Sequence, residues 1–467
     1  RVQGQGQGAV VRWRTWMLKK FFVLALYVML LVSSVFAGAV YQLDDDMRLT
    51  LHGDMRLRWE NFNSGVITPS GGQKDGQIGY LRLRTRLGGT LELPDGISIK
   101  ARLVNRVHKV STHYLYDPND RETATWKFPD EVIVDQLLIE FKEIAGSDFT
   151  LTLGRQDLML GSGMIILEGT PFDQGRTLYQ DGAVLRYNGE ADTVTTFVMY
   201  NQWKDRTVFI NDQNRRLRVG DTLTAGIYWT HSVSELLKFD LYYVFNDVDD
   251  DDLTNRIASH PFDNNLSLHT VGTRIFGKAF EEQFDYSLEM ARQGGVNSLQ
   301  HADIEAYMLD GRVRVHAPKG MFLSPSLGFE YYYASGDNPD TSKHEGWNTL
   351  LAEYPRYGEE LLPIMLNGVW SNMHFLRTDV GLVFSRDFKG NFAVGNLYAD
   401  DTDRDGLYPV ARTGGGSYMG TLLALMLDYR YNEYLSFSAK MAKFSPGSYF
   451  ADGKEGYWCQ LQVMAEF

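Results

Sequence analysis

Ten basic residues in the first half of the chain fall where they could act together. Arg56 and Arg58 alternate with Met55, Leu57 and Trp59. Arg82, Arg84 and Arg86 alternate with Leu81, Leu83 and Leu87, and Lys100, Arg102 and Arg106 follow Ile99, Ala101 and Leu103 in the same way. In a β-strand, successive side chains point to opposite faces, so each set gives one charged face and one oily face. A guanidinium's planar fork fits a carboxylate, and charge lining a pore sets ion selectivity. Arg155 and Arg186 lie nearby and complete the set. The plainer alternative is polar lining held by salt bridges to acids such as Asp54 or Glu60. Further along, Asp285, Glu289, Asp303, Glu305 and Glu330 are expected on an inward face. In a ring of about eighteen strands the early strands face the tenth to twelfth. The expectation is therefore a lumen with a positive wall opposite a negative one.

The elements that must hold these residues are long strands. Leu49, Leu51, Gly53, Met55, Leu57 and Trp59 share one face, and Arg48, Thr50, His52, Asp54, Arg56, Arg58 and Glu60 share the other. The segment Tyr457–Phe467 alternates for eleven residues and stops at Phe467. A strand of about 9–11 residues with one oily face is what crosses a bilayer in a barrel. A terminal aromatic is also expected to serve as an outer-membrane assembly signal. About eighteen such strands can be read, from one beginning near residue 48 to one at 456–467. Short turns such as Pro94-Asp95-Gly96 and Asn432-Glu433 alternate with long connections near 62–79, 109–130, 161–179, 204–220, 247–264, 336–372 and 400–416. The fold class is all-β: a transmembrane antiparallel up-and-down barrel of 16–18 strands. Such a barrel is too wide for side chains to fill and should hold a channel.

Residues 1–39 are expected to be an upstream extension plus a signal peptide. The start is placed at Met17, followed by Lys19 and Lys20, the apolar run Phe21–Val32 and a cut after Ala37 or Ala39. Residues 40–467 would then form one barrel domain in the bacterial outer membrane, with its lipid as a partner. Residues 1–39 hold five basic residues and no acidic ones, so the charge of −13 becomes −18 in the remainder. That acidity argues against nucleic acid as a partner. The single cysteine, Cys459, excludes an internal disulfide and a thiolate metal site. Aromatic residues reach 13%, as girdles at two membrane interfaces require.

Several motifs together resemble the alginate-export family of outer-membrane porins. Leu151-Thr-Leu-Gly-Arg-Gln156 followed by Asp181-Gly-Ala-Val-Leu-Arg-Tyr187 resembles that family's paired strand motif. Glu330-Tyr-Tyr-Tyr-Ala-Ser-Gly-Asp337 resembles its strand entering a long external loop, and Phe444-Ser-Pro-Gly-Ser-Tyr449 its penultimate strand end. The likeness runs from about residue 130 to the end of the chain. It implies a porin for anionic sugars, with alginate one candidate, working with periplasmic export or uptake machinery. The chain departs from the pattern at the turn between Tyr431 and Tyr434. Two residues stand there, where the alginate exporter carries a long periplasmic plug. The alternatives are a general or sugar-specific porin without an export role and, more remotely, a barrel-type hydrolase.

Other features point to less chemistry. Asp401, Asp403 and Asp405, followed by Gly406, open like a calcium loop, but its twelfth position is Arg412 and not the bidentate Glu such a loop needs. No metal and no cofactor is expected. The ten His show neither ligand spacing nor a nucleophile motif, so the protein is not expected to be an enzyme. A plugged receptor would need an N-terminal domain, yet strands begin within ten residues of the expected cut. The phase of alternation slips between Leu153 and Leu158, which predicts a β-bulge at Gly154 turning Arg155 and Asp157 inward. The segment 336–372, with Trp347, Tyr354 and Trp370, is too apolar for a solvated loop and is expected to fold into the lumen.

Overall fold

The computed structural model describes residues 38–467 apart from 64–65, 68–72, 75–76, 114–130, 169–178, 204–207, 212–219, 250–264, 299–301, 353–356, 358–360, 363–365, 367–369, 403–409, 411 and 452. The expected signal peptide and extension lie outside the described residues, except Gly38 and Ala39.

Period-two alternation becomes eighteen antiparallel strands in a closed ring. They are β1 (Met47–Asn63), β2 (Gln77–Glu92), β3 (Ile97–His113), β4 (Glu131–Phe141), β5 (Phe149–Gln156) and β6 (Gln180–Asn188). Next come β7 (Asp192–Asn201), β8 (Asp221–Ser232), β9 (Lys238–Asp249), β10 (Leu266–Ala279), β11 (Phe284–Asn297) and β12 (Ala302–His316). The ring ends with β13 (Ser326–Ala334), β14 (Met373–Ser385), β15 (Phe388–Tyr398), β16 (Tyr418–Arg430), β17 (Leu435–Pro446) and β18 (Gly456–Glu466). β18 pairs with β1, Asp54 opposite Glu466 and Asn63 opposite Tyr457, so no edge is left open along that seam. A short strand, Val40–Asp44, pairs with Met47–Thr50 at the periplasmic end of β1.

The turns at that end are tight. Pro94 fixes φ, and Asp95 and Gly96 take left-handed φ of 58° and 73°, as a two-residue hairpin connection requires. The outer face is apolar and exposed at alternate positions: Leu51, Leu87, Leu137, Val198, Val271, Leu376 and Met441. At the periplasmic end it carries aromatic pairs, Phe149 with Tyr187 at 5.2 Å and Trp229 with Phe239 at 5.3 Å. At the external end Tyr243 lies on His269, and Tyr333 on His374. These are the two interfacial girdles of an outer-membrane barrel. Across the closing seam Leu57, Leu435, Val463 and Ala465 pack together on that outer face, with Trp59, Leu81, Leu83 and Leu461 against them.

Val271 is 53% exposed near the middle of β10. Val271→Arg should therefore lower the free energy of unfolding in bilayers by about 2–4 kcal/mol, as read by urea titration. An unchanged midpoint would show that Val271 does not face lipid.

The inner face is mixed, and its external half is filled. Inward Phe197, Tyr228, Tyr242, Tyr332, Phe375, Phe444 and Trp458 form one cluster with residues of two connections. The first contributes Leu158, Leu160, Met164, Ile165 and Ile166. The second contributes Trp347, Leu350, Leu351, Leu361, Leu362, Leu366 and Trp370. The expectation that 336–372 enters the lumen holds for its described residues. Trp347 and Trp370 are each 1% exposed, as buried anchors are and solvated loops are not. The connection after β5 enters as well, although alternation alone gives no sign of it. Its apolar run Met164-Ile-Ile-Leu167 was the available signal.

The bulge expected at Gly154 is corrected. Pairing runs unbroken from Phe149 to Gln156 against β6, and no shift appears against β4. Gly154 has a φ of +117°, and a Cβ there would lie 2.4 Å from the Leu137 carbonyl oxygen, so glycine is required for close approach. The register shift falls instead between β3 and β4, between Arg102 and Leu103, where Asp135 is the extra residue.

Candidate functional site

The first wall of the lumen is built by β1, β2 and β3. Register places Arg58 opposite Arg82, Arg56 opposite Arg84, and Arg84 opposite Arg106. Directly opposed side chains stand with Cβ atoms about 4.5–5.5 Å apart, where like charges destabilise a sheet. Counter-charges close by relieve the strain. Asp54 accepts from Arg84 at 3.0 Å and also pairs with Arg86. Glu60 pairs with Arg82 at 3.0 Å and with Arg58 at 3.7 Å, and both Arg58 and Glu60 have fully buried side chains. Arg58 also donates across the seam to Gln462, at 2.8 Å.

β4 and β5 supply further acids. Lys100 meets Glu140 at 3.3 Å, and Arg102 meets Asp135 at 3.0 Å and Asp157 at 3.4 Å. The salt-bridged alternative is thus realised. The wall is not neutral, however. Its described groups are Arg56, Arg58, Arg82, Arg84, Arg86, Lys100 and Arg102 against Asp54, Glu60, Asp135, Glu140 and Asp157, an excess of two positive charges by subtraction. The backbone of Arg106 is in this wall, and its side chain lies outside the described residues. Arg186, exposed and opposite buried Thr195, donates to it at 3.3 Å.

With the register of β5 unbroken, Arg155 stands opposite Asp181, and the Tyr179 ring beside it packs with Val104 and Ile133, which share the inner face with Arg86. Both carboxylate oxygens of Asp181 accept from Arg155 at 2.8 and 2.9 Å, and its guanidinium lies 3.5 Å from the Tyr179 ring centroid.

The facing wall spans β9 to β14. Asp240 stands opposite Arg274, Arg274 opposite Glu289, and Glu289 opposite Asp310. One row below, Arg312 stands opposite Glu330, and Glu330 opposite Arg377. Asp240 and Arg274 lie 2.7 Å apart, Arg312 and Asp310 2.8 Å, and Arg314 and Asp379 2.8 Å. Asp285 meets His316 at 2.8 Å. Six carboxylates (Asp240, Asp285, Glu289, Asp310, Glu330, Asp379) share that face with four arginines (Arg274, Arg312, Arg314, Arg377) and with Lys238 and Lys278, the latter directly opposite Asp285, so six acids meet six bases. Of the expected acids, Asp285, Glu289 and Glu330 stand on this face, where they are interleaved with bases; Asp240, Asp310, Asp379, the two lysines and all four arginines were missed.

Asp303 and Glu305 are not part of it. Ile304, Ala306, Met308 and Asp310 are the buried, inward residues of β12, while Asp303 is exposed and Tyr307 is 43% exposed. Glu305 sits on the outer face near the external rim, bound by Lys343, by Arg292 at 2.9 Å and by the Tyr307 hydroxyl at 2.8 Å. The inversion has a physical cause. Hydropathy alone assigns apolar residues to the lipid, but here they face inward against the inserted loops.

Those loops touch the facing wall. The Ser162 hydroxyl donates to Glu289 at 2.6 Å, and Tyr242 donates to the other oxygen at 3.0 Å. Tyr242 stacks on Tyr228 at 5.3 Å, and Tyr228 donates to Asp240 at 2.6 Å. Tyr357 donates to Glu330 at 2.9 Å and lies beneath Arg377 at 5.0 Å. Among the described residues no group of three or more His, Cys, Asp or Glu could hold a metal. Asp401 instead bonds Asn372 through its backbone, and Asp403 and Asp405 lie outside the described residues.

The family model described as alginate export matches residues 47–458. No curated protein matches the sequence. Solved outer-membrane porins of Pseudomonas aeruginosa share the fold. OccK11 (OpdR) superposes with a TM-score of 0.53 at 11% identity, covering 92% of this chain and 99% of that one. OprD gives 0.54 at 11%, covering 92% and 96%. OpdK, solved with vanillate, gives 0.54 at 12%, covering 89% and 98%.

Proposed function

The chain belongs to the alginate-export family and is an integral channel of the bacterial outer membrane, and from that premise we propose that it passes anionic sugars, an acidic polysaccharide or oligosaccharide such as alginate. The observation that carries this reading is the register of arginine upon arginine across β1, β2 and β3. A sheet that opposes like charges at about 5 Å gives up stability. Two acids buried among them offset only part of the repulsion. The remaining field favours a carboxylated solute moving along that wall. No enzymatic step is assigned.

The nearly balanced charge of each wall, together with the two-residue turn at Asn432-Glu433, favours a second reading: a sugar-specific porin without an export role. Bilayer recordings across a low-salt gradient test the first point, with a reversal potential on the anion side expected and weakening as salt screens the wall. A potential on the cation side would overturn it. Blocking by oligomers of uronic acid of increasing length separates the two readings. A long-chain exporter is occluded by long chains, and an oligosaccharide porin only by short ones.

A further inference from the structure

The two inserted loops come from distant parts of the chain, yet each places a hydroxyl on a buried carboxylate of the facing wall, and the second is tied to it further by Gln293, which exchanges hydrogen bonds with the Asn348 backbone at 2.8 and 2.9 Å, and by Tyr332, which donates to the Trp370 carbonyl at 2.8 Å. Ser162 holds Glu289, and Tyr357 holds Glu330. The two carboxylates are 2% and 9% exposed. The loops also hold each other. Ile166 and Leu351 form a parallel backbone bridge, in which Leu167 N–H donates to Leu351 O at 3.2 Å and Leu351 N–H donates to Ile165 O at 3.3 Å. Ile165, Ile166, Leu350 and Leu351 are all buried in the cluster they share.

We propose that these loops are one latched plug, a single body held shut by Glu289 and Glu330 and released as a unit. The inference rests on the channel reading, and its test does not depend on conduction. Withdrawing either loop alone would break the backbone bridge and strip apolar contacts from the other. Withdrawing both keeps the bridge and breaks only contacts with the wall. A carboxylate buried to this degree needs its donors, and a hydrogen bond to a charged acceptor shifts an equilibrium by about 10- to 100-fold. The carboxylates of the solute-facing wall therefore also set how often the external mouth opens.

The test uses the full barrel in liposomes with Cys459→Ser and a thiol probe on one loop or the other: Ile166→Cys, at a position 0% exposed, or Leu361→Cys, also 0% exposed. Labelling by a membrane-impermeant maleimide reports opening. Ser162→Ala and Tyr357→Phe each remove one latch donor and leave the carboxylate in place. Each is expected to speed labelling about 10-fold or more at both probes. If Ser162→Ala acts only at residue 166 and Tyr357→Phe only at residue 361, the loops move independently and the single body is overturned. If neither variant changes labelling in barrels that still shift on heating in gels, there is no latch. Glu289→Gln and Glu330→Gln weaken the same bonds while keeping an acceptor, and they must move both probes in the same direction. A parent barrel that labels as expected but shows no conductance would sink the channel reading and leave the latch standing.

Discussion

Changing Arg82, Arg84 and Arg86 together to serine should turn the channel from anion-preferring to cation-preferring, and should also weaken the barrel. The three side chains neutralise Asp54 and Glu60. Without them the described groups of that wall are Arg56, Arg58, Lys100 and Arg102 against five carboxylates, so an excess of two positive charges becomes a deficit of one by subtraction. The reversal potential at low salt should cross zero. Glu60, fully buried, loses its closer partner, and breaking a buried pair from one side costs about 3–5 kcal/mol. The urea midpoint should fall accordingly. A companion carrying Asp54→Asn and Glu60→Gln as well should recover most of the stability and bring the selectivity towards neutral. A triple variant that keeps the parent's anion preference would show that permeation is governed elsewhere, and one that keeps full stability would show that Glu60 finds other donors.

Removing residues 340–368 should raise single-channel conductance by a factor of about two or more, because an eighteen-strand barrel is wide enough for an aqueous lumen once nothing fills it. The excised piece includes Trp347, Leu350, Leu351, Leu361, Leu362 and Leu366, all buried against the inner wall. Its loss also takes away the bridge partner of Ile166, so the loop after β5 loses its backing. Each buried Leu or Ile contributes about 1.5–3 kcal/mol, so the deletion variant should unfold at lower urea than the parent even though no barrel strand is touched. Conductance equal to the parent's in a heat-modifiable barrel would show that the loop does not narrow the pore.

The strands were legible because strict alternation over ten or more residues rarely arises except in a long strand with two unlike faces. Leu49 to Trp59 and Tyr457 to Phe467 show their two faces directly, and both prove to be barrel strands paired across the closing seam. Facing was harder. Alternation tells which residues share a side of one strand, and hydropathy then assigns the side. That second step fails wherever the inside is apolar. In β12, Ile304, Ala306 and Met308 meet the inserted loops, so hydropathy turns Asp303 and Glu305 the wrong way. The bulge at Gly154 failed for a different reason. The slip in phase was real, but β5 ends at Gln156, so the change comes where the ladder stops and not at a bulge inside it. The arginines of the far wall escaped notice because each is interleaved with acids in neighbouring strands, a relation that exists only after pairing.

The seam between β1 and β18 has a bearing on how the molecule is made. Arg58 bonds Gln462 across 404 residues of chain, Gly53 and Phe467 exchange backbone hydrogen bonds, and just beyond them Leu51 N–H donates to Ala39 O. The first barrel strand thus finds its second partner only in the last. Until that strand arrives, β1 has an unpaired row of amides and carbonyls, which hydrocarbon does not tolerate. Closing so long a loop costs entropy that grows only slowly with length, but none of it is returned until the final ladder zips. Closure is therefore an all-or-none last step of biogenesis, and a nearly complete chain must be held with its edges shielded until β18 docks.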